Sequence, residues 1–181
     1  ETKAFLEGHF ILSSGLHSPC YVQCAQLLSK PHKAEQLCLD LSKKIEKSFP
    51  DFDIILSPAL GGIIIGYEMG RLLKKETIFC ERKNNNFELR RGFKITKGLR
   101  VLIVEDVITT GKSTAECEKI VKECEGNVVG YACLIDRTSS KSKLGSEIVS
   151  QIKIEIPTYE PDKLPDDLLK IKAVKPGSRG L

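Results

Sequence analysis

Residues 100–114 read Arg-Val-Leu-Ile-Val-Glu-Asp-Val-Ile-Thr-Thr-Gly-Lys-Ser-Thr, and no other stretch constrains the fold as much. The apolar run Val101 to Val104 needs cover on both faces, which a strand finds in a parallel sheet packed between helices. A polar Thr-Thr-Gly turn then leads into Lys112–Glu125. There Cys117, Ile120, Val121 and Cys124 recur at helical spacing, and Gly126 is expected as the C-terminal cap.

The same alternation runs along the chain. Ala34, Leu37, Cys38, Leu41 and Ile45 form one face of a helix over Pro31–Phe49. Asp53–Ser57 reads as a buried strand ending in a Ser-Pro turn, and Gly61–Leu73 as a Gly-rich helix packed closely on it. Thr77–Cys80 and Val128–Ile135 are further strands, the second ending at Asp136-Arg137. Residues 82–92 are polar, with Asn84-Asn85-Asn86 in the middle, and are expected to form a mobile hairpin or loop. The segment from Pro157, rich in Pro, Lys and Asp, reads as a surface tail. The expectation is an α/β fold, a mostly parallel sheet flanked by helices.

With 181 residues and roughly 150 per domain, one domain spanning 1–181 is expected. It comprises an opening segment of about 1–30, a core of about 31–156 and the tail. No apolar run reaches the ~18 residues of a membrane span, and no basic-then-apolar leader opens the sequence. Seven cysteines with no C-x-x-C pair read as free thiols in a reducing cytoplasm. The net charge of +4 is too small for nucleic acid and suits an anionic small substrate. His9, His17 and His32 lack metal-ligand spacing, so packing or surface roles are expected of them.

In an open parallel sheet ligands bind beyond the carboxyl ends of the strands, which directs attention to the turn after Val104. Glu105 and Asp106 side by side repel unless a cation or hydroxyl donors occupy them, and a ribose diol offers two such donors. Thr109 to Ser113 then place hydroxyls, a Gly and backbone N–H groups at a helix N-terminus, a cradle for phosphate. Acids first and phosphate loop second is the layout expected for a sugar phosphate. The bland alternative is that the acids cap the helix and Thr-Thr-Gly is a plain turn. Gly111-Lys112-Ser113 is not the end of a nucleotide P-loop, because the required earlier Gly is Asp106.

Val104 to Ser113 resembles the phosphoribosyl diphosphate (PRPP) signature of type I phosphoribosyltransferases. Phe10-Ile-Leu-Ser-Ser-Gly-Leu-His-Ser-Pro-Cys-Tyr21 is similar to the N-terminal segment of the orotate phosphoribosyltransferases. Ser57 to Ile63 resembles that family's diphosphate turn, Glu81-Arg82-Lys83 the start of its catalytic loop, and Asp136-Arg137 a later D-R pair. The resemblance spans roughly residues 4 to 137 and implies a type I, Rossmann-like core with a small N-terminal hood.

It also implies roles. Glu105, Asp106, Val107, Ile108, Thr109, Thr110, Gly111, Lys112 and Ser113 would hold PRPP, with the acids on the ribose hydroxyls. Thr109 and Arg137 would contact orotate, and a guanidinium fork independently suits a planar carboxylate. Arg82 and Lys83 would neutralise the diphosphate, and Arg82, Lys83 and Asp106 are the catalytic candidates. Mg²⁺ would arrive on PRPP, with no dedicated protein site. The partners implied are PRPP, orotate and a second copy of the chain, without nucleic acid or membrane.

The implied reaction makes orotidine 5′-phosphate and diphosphate, a step of pyrimidine (UMP) biosynthesis, by positioning and leaving-group electrostatics. The sequence departs from the family at Ser13 and at Leu60-Gly61, where lysine-containing motifs are common, and lacks a further Lys and His after Lys83. Arg90 and Arg91 are candidates to supply the missing charge. A purine phosphoribosyltransferase and a PRPP-binding regulator are the rival readings.

Overall fold

The structure, a computed structural model, describes residues 4–12, 14–138 and 144–176. They gather into two compact units, residues 28–154 and the two chain ends, up to 27 and from 155.

The larger unit is a six-stranded sheet. Its strands are β3 (Ile54–Pro58), β4 (Glu76–Lys83), β5 (Asn86–Leu89), β6 (Arg100–Ile108), β7 (Asn127–Asp136) and β8 (Ile148–Lys153), in the order β5-β4-β3-β6-β7-β8. All neighbours are parallel except the β4–β5 hairpin. Helices α2 (Pro31–Ser48) and α3 (Gly61–Leu73) match the periodicity reading almost to the residue, and α4 (Lys112–Glu123) follows β6.

On one face Cys117 and Val121 of α4 pack into a core with Ile54, Leu56, Ile78, Val101, Ile103 and Tyr131. The intervening Ile55 and Leu102 are also fully buried and turn to the other face, as the strand period of two requires. The sheet is thus covered on both sides.

Three sequence expectations change. First, β6 does not stop at Val104 but runs to Ile108, held by Val107↔Ile135 and Ile108↔Asp136 pairing with β7. Second, Gly126 is not the left-handed cap. Glu125 takes that conformation at φ 56°, with Glu125 N–H donating to Lys122 O (2.9 Å) and Gly126 N–H to Val121 O (2.9 Å). Gly126 serves close packing: a Cβ there would meet Ile95 Cγ2 at 2.9 Å and Val121 Cγ1 at 3.0 Å. Third, β8 was not foreseen, because Ile148-Val-Ser-Gln-Ile-Lys alternates too weakly to stand out.

The smaller unit contains β1 (Phe5–Ile11) antiparallel to β2 (His17–Val22), and α1 (Cys24–Leu28) begins at its end. The segment from Pro157, expected as a surface tail, folds onto this hairpin. Val174 bridges Phe10, Tyr159 bridges His17, and α5 (Asp166–Leu169) buries Leu168. His9 is buried, its Nδ1 2.9 Å from Ile171 O and its Nε2 2.5 Å from His17 Nδ1, so two of the three histidines pack within this unit. Ser13 lies outside the described residues.

Candidate active site

The central strand β3 is shorter than both of its neighbours. β3 pairs with β4 only as far as Pro58↔Cys80 and with β6 only as far as Leu56↔Ile103. β4 continues for three residues beyond its last pair and β6 for five, about 10 and 16 Å at ~3.3 Å per residue. A crevice therefore opens over the carboxyl end of β3, floored by the Ala59-Leu60-Gly61 turn. The chain leaves β3 through α3 to β4 on one side, and leaves β6 through α4 to β7 on the other. That reversal makes the crevice the topological switch point, where open α/β sheets bind ligands.

The strand extension separates the two acids. Glu105 shares the parity of Val101 and Ile103 and turns to the α4 face, where Thr114 Oγ1 donates to its Oε2 at 2.7 Å. Asp106 shares the parity of Leu102 and turns to the α3 face. There an added Cβ on Gly61 would lie 2.8 Å from Asp106 Oδ1 and 2.9 Å from Oδ2. The expected side-by-side pair is instead two carboxylates on opposite faces of one strand, flanking the crevice. Burial pushes the Asp106 carboxyl above its ordinary value, opposed by a 3.0 Å hydrogen bond from Val107 N–H.

Beyond Ile108 the chain turns through Thr109 and Thr110, both exposed, to Gly111 at φ 74°. A side chain at Gly111 would also strike Leu144, since an added Cβ would lie 3.0 Å from its Cδ1. α4 starts immediately after, so Lys112 and Ser113 occupy its first turn and the N–H groups there have no helical partner.

Arg137 follows Asp136, which pairs with Ile108, and its N–H donates to Ile108 O at 2.8 Å. The register thus sets Arg137 beside the start of the Thr109 turn. Asp136 Oδ1 accepts the Thr138 N–H at 2.7 Å, fixing the chain direction just past Arg137.

Arg82 stands on the projecting end of β4. It stacks on Phe87 at 4.0 Å, donates to Asn85 O at 2.6 Å and forms a 2.7 Å ion pair with Glu116 of α4. Below this pair Cys80 and Cys117 bring their sulfurs to 3.1 Å in the core, and burial with this contact pushes the Cys117 thiol far up. Lys83 lies beside Glu88 at 3.8 Å, both exposed. Arg90 and Arg91 both reach Glu81, at 3.6 and 3.1 Å.

Residues 82–92 form a hairpin whose two-residue turn, Asn84-Asn85, has φ of 49° and 67°, the geometry Asn tolerates best after Gly. The structure thus gathers Glu105 to Ser113, Thr109 and Arg137, and links Arg82 to them through Glu116. Lys83, Arg90 and Arg91 are held by local acids on the hairpin instead.

Sequence reading missed Thr114, Glu116 and the Gly61–Asp106 contact. Strand parity carried through to Asp106 would have found the first and third.

The phosphoribosyl transferase domain family matches residues 23–161. The orotate phosphoribosyltransferase of Parvibaculum lavamentivorans is 49% identical over 177 residues, covering 97% of this chain and 91% of its own. That of Methylorubrum populi is 50% identical over 179 residues, covering 98% and 91%. The chain belongs to the orotate phosphoribosyltransferase family.

Its fold agrees with that of orotate phosphoribosyltransferase from Aeropyrum pernix, at TM-score 0.72 and 24% identity, covering 84% of this chain and 89% of that one. An adenine phosphoribosyltransferase from Thermoanaerobacter pseudethanolicus superposes at TM-score 0.64 and 21% identity, covering 75% and 88%. The fold alone therefore does not choose the base. No helix among the described residues is long and apolar enough to cross a membrane.

Proposed function

We propose that this orotate phosphoribosyltransferase carries out its reaction in the crevice over β3. The ribose 5-phosphate group passes from PRPP to N1 of orotate, and diphosphate leaves. The observation that supports this placement is the pair of carboxylates, Glu105 and Asp106, flanking the switch point one turn from the α4 N-terminus. Glu105 and Asp106 take the ribose hydroxyls, and Thr109 to Ser113 take the 5-phosphate through hydroxyls and the N–H groups of the first turn of α4. Arg137 pairs with the orotate carboxylate beside Thr109.

No protein nucleophile is needed. Breaking the C1–O bond leaves positive charge on the ribose and negative charge on the diphosphate, so preorganised charges lower the barrier. Arg82 supplies one of these on leaving Glu116 for the diphosphate, and Lys83 a second. The hairpin that carries them excludes water when it closes.

The donor set fits Mg²⁺ brought in on PRPP. Among the described residues no cluster of three His, Cys, Asp or Glu could cage a metal, and Mg²⁺ with phosphates asks for one or two carboxylates. The diphosphate and ribose oxygens of PRPP would hold it, with Asp106 alongside, and it would offset the charge on the departing diphosphate.

A homodimer is supported by the apolar Leu60, Ile64 and Tyr67, exposed together on and just before α3. Seven free cysteines suit a cytoplasmic enzyme.

The test is loss of orotate absorbance with PRPP and Mg²⁺, with adenine, hypoxanthine and uracil as rival bases. Turnover of orotate alone is expected. Turnover of another base without orotate would overturn the reading, and tight PRPP binding with no turnover would point to a regulator.

A further inference from the structure

We propose that Thr114 is a positioning residue for PRPP, acting through Glu105; the inference rests on the assignment of Glu105 to the ribose hydroxyls. Glu105 has three rotatable side-chain bonds, one more than Asp106, and a diol is gripped well only by a carboxylate held in one plane. Asp106 is fixed locally, by its own hydrogen bond with the Val107 N–H. Glu105 is fixed from outside the strand: Thr114 is fully buried in the first turn of α4 and its hydroxyl donates to Glu105 Oε2 at 2.7 Å.

The donor is a stiff one. Thr is β-branched, so its χ1 is set by the helix and by the packing of its methyl group. A hydrogen bond to an ionised acceptor is short and strong, as this one is. A carboxylate has about four acceptor sites, and the Thr114 hydroxyl takes up a single one of them, on Oε2.

The bond also joins the two halves of the site. Glu105 belongs to β6 and Thr114 to the helix whose N-terminus receives the phosphate, so the ribose acid and the phosphate cradle stay in register. Neither partner alone would show this. The signal is a long acid at the strand end with a hydroxyl nine residues later, on the buried side of the helix.

The experiment is steady-state kinetics of Thr114→Val and Thr114→Ser with PRPP and orotate varied in turn, in wild-type and Glu105→Ala backgrounds. Val keeps the shape and removes the donor, and Ser keeps the donor. Thr114→Val is expected to raise KM for PRPP roughly tenfold, with kcat and KM for orotate within about twofold, as losing a bond to a charged group predicts. Thr114→Ser should restore the PRPP value to within about twofold. In Glu105→Ala, which removes the acceptor, adding Thr114→Val should change KM for PRPP by less than about twofold, because the two act as one unit.

A merely structural Thr114 would lower the active fraction, and so kcat, while leaving KM alone. An unchanged KM for PRPP in Thr114→Val, or an equal loss in both backgrounds, would overturn the proposal. Should Thr114→Val not fold, Thr114→Ala carries the same readouts. Failure of the wild-type enzyme to consume orotate would count against the assigned reaction, whereas failure of the Val variant alone counts against Thr114.

Discussion

Burial raises the Asp106 carboxyl above its ordinary 3.8, so the folded state binds a proton more readily than the unfolded chain. Stability therefore falls as pH rises from about 4, and at neutral pH the protein carries a desolvated charge. Asp106→Asn removes that charge. The variant should melt above wild type at pH 7 and lose that advantage as the pH falls to about 4, read by thermal denaturation across pH. Its kcat/KM for PRPP should drop roughly 10²-fold, the usual loss when one preorganised electrostatic group is removed.

Gly61 belongs to the same argument. The carboxylate of Asp106 occupies the space a side chain there would need, so Gly61→Ala should displace it and reduce kcat/KM about tenfold, with KM for PRPP rising. Both residues were visible in the sequence. Their relation was not, because the strand was ended four residues early and its parity never reached Asp106.

Among the elements, helices were read best. α2 and α3 announce themselves through a 3.6-residue period that tertiary context did not disturb. β4 was read as half its length because Glu81-Arg82-Lys83 projects past the end of β3 and pairs only with β5, where polar side chains are tolerated.

The hairpin it forms is strained at its turn, since Asn84 and Asn85 both sit at positive φ. Asn85→Gly fits that turn without the Cβ penalty and should raise Tm by a few degrees, about 1 kcal/mol for a chain of this size. Gly126→Ala runs the other way. Its Cβ would press on Ile95 and Val121, and a loss of about 1–3 kcal/mol by chemical denaturation is expected. At the hairpin base, Arg82→Ala should lower both kcat and Tm, because it leaves the buried Glu116 Oε2 without its ion-pair partner and Phe87 without the stacked guanidinium.

Across the whole molecule the +4 excess says less than where each charge is held. Arg82 faces Glu116, Arg90 and Arg91 share Glu81, and Arg100 forks onto Asp53 with bonds of 3.0 and 2.6 Å. Fold class was legible because apolar strands and amphipathic helices alternate. Strand order was not, and with it the switch point, since nothing local tells β6 to lie on the far side of β3 from β4.

The smaller unit is assembled from both ends of the chain, and His9 meets Ile171 at a sequence separation of 162. During synthesis at roughly 5–20 residues per second, the β1–β2 hairpin emerges ahead of its partners and waits roughly 8 to 30 s for them. Through that interval its open edge is available to other nascent chains. Pairing to Tyr159 and Val174 is therefore also the moment at which the newborn protein stops being a hazard to its neighbours on the polysome.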